Sequence, residues 1–193
     1  MLVAASGQTS GVIWQQIGNA QVATTAAIAR SKLAVETRHL PLQINGPFDA
    51  NSYPTLTAAL ATWYAYVWTF VKDVDGYVYF QVRVPDGLAA TPNAKLILEI
   101  IANATSGVTR MEVQSKNAAD GAAMNAAVTV ETAQDITVPG TAYLRKKLSF
   151  TLTNAPAAGD LLYGAIGHRG AHANDTLAVD TLLLGAWLQV DVS

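Results

Sequence analysis

The residues best suited to chemistry fall in one stretch, GHRGAHANDTLAVD (residues 167–180), which holds two of the chain's three histidines. His168 and His172 are four apart, a spacing that on a helix puts both imidazoles on one face for zinc. This context does not favour a helix: Gly167 and Gly170 bracket His168, and the flanks LLYGAI and LLLGAWLQV read as strands. The metalloprotease pattern also needs a glutamate after the first histidine, where this chain has Arg169. His39 stands alone before Pro41 and adds no third ligand at a recognisable spacing. The stretch is therefore expected to be the solvated loop of a β-hairpin, with a short helical turn over 174–179 capped by Asn174 or Asp175. A metal bound at an oligomer axis is the alternative.

Asp73-Val74-Asp75-Gly76 opens like a calcium loop, but such a loop needs further oxygen ligands and a glutamate at its twelfth position, here Val84. An Asp-Gly hairpin turn is the plainer reading. The chain has no cysteine and no Gly-x-Ser-x-Gly, and GVIWQQIG lacks the lysine and the following helix of a phosphate-cradling loop. The expectation is a protein with no catalytic residue, no cofactor and no metal. The dense aromatics Trp63, Tyr64, Tyr66, Trp68, Phe70, Tyr77, Tyr79 and Phe80 remain as functional candidates. Trp68, Phe70 and Trp187 share strand parity with buried positions, which assigns them to the core. Aromatics left on an open face would instead make a sugar-stacking platform.

The elements that must carry these residues change character near Ala61. From Ala65 onward, short apolar runs alternate with turn signals. AYVWTFV and YVYFQVRVP flank Asp75-Gly76 as an expected hairpin, and AKLILEIIAN and VTRMEVQSK flank TSG as a second pairing. VTVETAQDITVPG, YLRKKLSFTLT, LLYGAIGHR and LLLGAWLQVDV follow, making about eight strands and predicting an all-β, antiparallel two-sheet sandwich, jelly-roll-like, over residues 61–193. Arg145, Lys146 and Lys147 form the only basic run and suit a polar face or an edge strand.

Residues 1–60 are rich in Ala, Thr, Ser, Gln and Asn, with Pro41, Pro47 and Pro54 and few large apolar side chains. They read as an extended N-terminal arm for anchoring and oligomerisation. A segment with so little to bury gains order only against a partner, so Val22, Ile28, Leu33, Val35, Leu40 and Ile44 are the expected oligomer or capsid contacts. Charged residues make up 13% of the chain and the net charge is −2, which gives no field for nucleic acid or a membrane surface. A surface so weakly charged suits burial against other subunits.

Residues 65–193 resemble β-sandwich domains of tailed-bacteriophage virion proteins. The resemblance is carried chiefly by Ala158-Gly159-Asp160, Arg169-Gly170, Asp175-Thr176-Leu177-Ala178, Asp180, the leucines 182–184 and Trp187. One departure is His168, where an acidic or arginine-like residue is expected. The arm segment AQVATTAAIARSKLA is similar to fibre and decoration-protein N-termini that intertwine about a threefold axis. The resemblance implies a non-enzymatic virion component, expected as a homotrimer on the outer surface of a capsid or on a tail. Its partners would be copies of itself and the major capsid protein or another virion protein. A capsid decoration or cement protein is the leading expectation. A tail-fibre or receptor-binding module recognising host-surface glycans is the alternative, favoured if aromatics lie exposed on one face.

Overall fold

The computed structural model describes residues 36–46, 54–57, 67–86 and 94–192, and among these it contains strands and turns but no helix. The strands form two antiparallel sheets of six. In sheet A the order is β10 (Lys146–Thr151), β6 (Lys95–Ala102), β12 (Thr181–Val192), β4 (Val67–Phe70) and β3 (Pro54–Thr57). β1 (Glu36–Pro41) lies along the C-terminal half of β12, from Glu36 opposite Val192 to Pro41 opposite Trp187. In sheet B the order is β2 (Gln43–Asn45), β5 (Asp75–Arg83), β11 (Leu161–Arg169), β7 (Val108–Ala118) and β8 (Thr129–Val130), with β9 (Gln134–Thr137) also paired to β7.

The period-2 alternation of each strand sets which face it buries. Sheet A turns Phe70, Leu96, Leu98, Ile100, Leu148, Phe150, Leu183 and Leu188 toward Val78, Phe80, Met111, Val113, Leu162 and Ile166 of sheet B, and these side chains make one continuous core. The expected all-β sandwich is the fold observed. Its eight strand segments after residue 65 all appear, with 128–140 divided into β8 and β9. β10 is an edge strand, and Arg145 and Lys147 both pair with Glu99 of β6.

Pairing differs from the sequence expectation in three places, all of one kind. β4 and β5 do not form a hairpin, because the first belongs to sheet A and the second to sheet B. β6 and β7, and β11 and β12, are divided between the sheets in the same way. Each connection is an arch that crosses the core, with its two strands meeting through side chains rather than backbone hydrogen bonds. At the first arch the bend lies before Asp75-Gly76, which already belong to β5. Asp73 takes a left-handed φ of 59°, and the Lys72 amide donates to Asp180 Oδ1 at 3.0 Å.

The arm boundary also differs. β1, β2 and β3 lie within the expected arm but complete the two sheets, so the compact sandwich unit begins at Val35 rather than at residue 61. Leu40 and Ile44 are partly buried and pack against the sandwich's own core beside the buried Leu42. Within that segment the described strands β1, β2 and β3 are edge strands, which borrow their core from the rest of the chain. Val22, Ile28, Leu33 and Val35 lie outside the described residues.

β11 and β7 approach so closely at Gly164 that a Cβ there would overlap the carbonyl oxygen of Gln114. Gly164→Ala must push two central strands apart and is expected to cost about 1–3 kcal/mol of stability. Thermal unfolding checks this, and an unchanged melting point would contradict the close approach.

Candidate functional site

The histidine stretch is solvated only in part. His168 is the last inward-facing residue of β11 and is 1% exposed. Its Nε2 donates to Asp175 Oδ2 at 2.9 Å, and its ring lies 5.9 Å from that of Phe70. Asp175 Oδ2 also accepts the Arg110 amide at 2.8 Å, and Oδ1 accepts the Leu177 amide at 3.3 Å. The latter is a local cap-like turn without the helix expected over 174–179. His172 is exposed, as a loop residue should be. Among the described residues no three His, Asp or Glu side chains gather as metal ligands.

On the outer face of sheet B, at the same end, Arg169 is the centre of a polar network. Its Nε lies 3.0 Å from Asp75 Oδ2, and its Nη1 donates to Tyr77 Oη at 3.0 Å and to Glu112 Oε2 at 3.3 Å. Tyr77 lies across the backbone of Gly167, where a Cβ would come 2.5 Å from its Cε1. Burial, and next the nearby Glu112 carboxylate, raise the Tyr77 pKa above its ordinary value, so the phenol keeps its proton as a donor.

Next to this network, small residues on a central strand open a cleft. Outward-facing Ala165 of β11 stands between Tyr79 of β5 and Gln114 of β7, and Asn45 of β2 stands beyond Tyr79. One step along, Tyr163 stands between Gln81 and Lys116, with Gln43 beyond Gln81. The flanking strands are about 10 Å apart, two strand spacings. The cleft has a volume of about 340 Å³, with Asn45, Tyr79, Gln81, Gln114, Met124 and Tyr163 around an Ala165 floor. None of its lining residues is charged.

Tyr79 is 43% exposed on β5. Tyr163 Oη donates to the Met124 carbonyl at 2.7 Å, which ties the 119–128 loop over one end of the cleft. In the other direction Tyr77 and Glu112 of the Arg169 network stand on either side of Gly167, the next outward position after Ala165. Past Met124 a second depression of about 380 Å³ reaches Arg83 and Asp120.

The other named aromatics have separate places. Phe70 is fully buried, and Trp68 packs against the core as expected. Trp187 does not share their face. It is half-buried on the outer side of sheet A, stacked 6.2 Å from His39 with Lys147 Nζ 5.4 Å from its ring. Trp63, Tyr64 and Tyr66 lie outside the described residues. Sequence reading had named Tyr79 but missed Asn45, Gln81, Gln114 and Tyr163. One signal was available: Tyr163, Ala165 and Gly167 alternate outward, leaving small residues where a central strand usually carries bulk.

No protein-family model matches the chain, and no curated protein matches it significantly. Among solved structures, a family 35 carbohydrate-binding module from Clostridium thermocellum is similar, at 14% identity over 80% of this chain and 97% of that one, with a TM-score of 0.42. The adhesin domain of Lys-gingipain from Porphyromonas gingivalis shows 11% identity over 81% and 98%, with a TM-score of 0.41. A family 11 carbohydrate-binding module from Clostridium thermocellum, in complex with a β-1,3-1,4-mixed-linked tetrasaccharide, shows 11% identity over 81% and 88%, with a TM-score of 0.35. At these values the chain's own residues must supply the functional reading.

Proposed function

We propose that this chain is a non-catalytic carbohydrate-binding β-sandwich whose site is the cleft on the outer face of sheet B. The observation that carries the reading is the cleft's chemistry: an exposed Tyr79 ring, three side-chain amides and no charge on one rigid face. A sugar offers an apolar C–H face to an aromatic ring and hydroxyls to amides, and a concave site with a few fixed polar groups suits both. The cleft volume sits at the small end of ligand pockets, which suits a short saccharide segment.

The resemblance to virion proteins supports a setting for this activity. The head recognises a host-surface glycan, while residues 1–34 attach it to a capsid or tail protein and to further copies of the chain. Capsid decoration would use the same anchor, but the cleft favours receptor binding. A glycan array probed with the purified chain tests the reading, followed by calorimetric titration of the best glycan. Tyr79→Ala is expected to weaken binding at least about tenfold, roughly 1.4 kcal/mol, as an aromatic anchor should. Undiminished binding would place the site elsewhere.

A further inference from the structure

We infer that the cleft selects uncharged saccharides over acidic ones, and that Glu112 sets this selectivity by orienting the amide of Gln114. The inference rests on the carbohydrate reading and narrows it to a ligand class.

Glu112 is 8% exposed and outside the cleft lining. It is held from one side by Arg169 Nη1 at 3.3 Å and by Tyr77 Oη at 3.4 Å. From the other side Gln114 Nε2 donates to Glu112 Oε1 at 2.9 Å. A carboxylate only accepts, so the amide of Gln114 has one satisfactory orientation, with its nitrogen toward Glu112. Its carbonyl Oε1 is then the atom turned to the cleft.

Gln81 pairs with another amide, its Nε2 donating to Gln43 Oε1 at 3.2 Å, so only Gln114 is fixed by a carboxylate. The Gln114 carbonyl satisfies a sugar hydroxyl, which can donate. It opposes a carboxylate or sulfate, which can only accept, and no cation among the lining residues offsets that mismatch. The nearby cations are committed outside the lining or face another depression: Arg169 to Asp75 and Glu112, and Arg83 beside Asp120. Lys116 stands across Tyr163, outside the cleft lining. Glu112 and Arg169 are thus positioning residues that act through Gln114.

The test uses the full chain and neutral hexose oligomers (cello-, manno- and galacto-series), each beside its C6-oxidised uronic-acid form. Wild type is expected to bind a neutral oligomer at least about tenfold more tightly than its oxidised partner. In Glu112→Gln the amide of Gln114 is free to turn over, and the ratio is expected to shrink toward one. A structural weakening alone would lower both affinities and keep their ratio. Gln114→Leu, which removes the acceptor and leaves Arg169 paired, should weaken binding of the neutral oligomer. Equal or tighter binding of the oxidised form by wild type overturns the selectivity, and an unchanged ratio in Glu112→Gln overturns the role of Glu112. Binding of neither form overturns the carbohydrate reading and this inference together.

Discussion

Removing residues 1–34 is expected to leave a sandwich with an unchanged melting point, whereas removing residues 1–60 is expected to leave a chain that no longer folds. Composition alone would treat both truncations as loss of an arm. The structure separates them, because β1, β2 and β3 lie between the two cut points and complete both sheets. The longer deletion strips six paired residues from β12 and uncovers edges of β4 and β5. It also removes Leu42 from the core and Leu40 and Ile44 from its margin. Each such side chain contributes about 1.5–3 kcal/mol when fully buried, against a total stability of about 5–15 kcal/mol for a domain. The bared strand edges would pair between molecules and aggregate. Thermal unfolding and size-exclusion chromatography of both truncations check the expectation. A folded, monodisperse 61–193 fragment would mean that the first three strands are dispensable.

The second large effect is expected at Asp175. Asp175→Ala removes the acceptor shared by His168 and the Arg110 amide. A buried donor left without its acceptor typically costs about 1–3 kcal/mol. The urea midpoint should fall by a corresponding amount. Asp175→Asn keeps one carbonyl oxygen for the Arg110 amide and should lose less. A change below about 0.5 kcal/mol would return the whole stretch to the solvated loop that its glycines suggest, since ordinary surface substitutions stay within that range.

These two cases show what the residues disclose and what they conceal. Alternation made the strands legible: in β7 the pattern marks Val108, Met111 and Val113 as inward or semi-buried, and Met111 and Val113 are buried while Val108 is half-buried. The same alternation marks His168, in step with Leu162 and Ile166, as inward. The glycines on either side suggested a loop and obscured that signal. Trp187 fails for a different reason. It has the parity of Leu183, which is buried, but the β6–β12 register shifts between Leu183 and Gly185, and every later residue changes face.

Partnership was the least legible property. Asp75-Gly76 and TSG look alike whether a chain folds back within a sheet or crosses to the opposite one, because local turn chemistry does not specify the sheet. The cleft depended on that missing information. Ala165 is a floor only because the register sets it between Tyr79 and Gln114, residues distant in sequence. Tyr79 could be named from composition. Its neighbours could not.

The most direct test of the account is to map glycan binding by NMR on the isotope-labelled chain, titrating the best ligand from the array. The account predicts shift changes concentrated at Tyr79, Gln81, Gln114, Tyr163 and Ala165, with sheet A undisturbed. Changes centred on Trp187 and His39, or no change with any glycan, would contradict it.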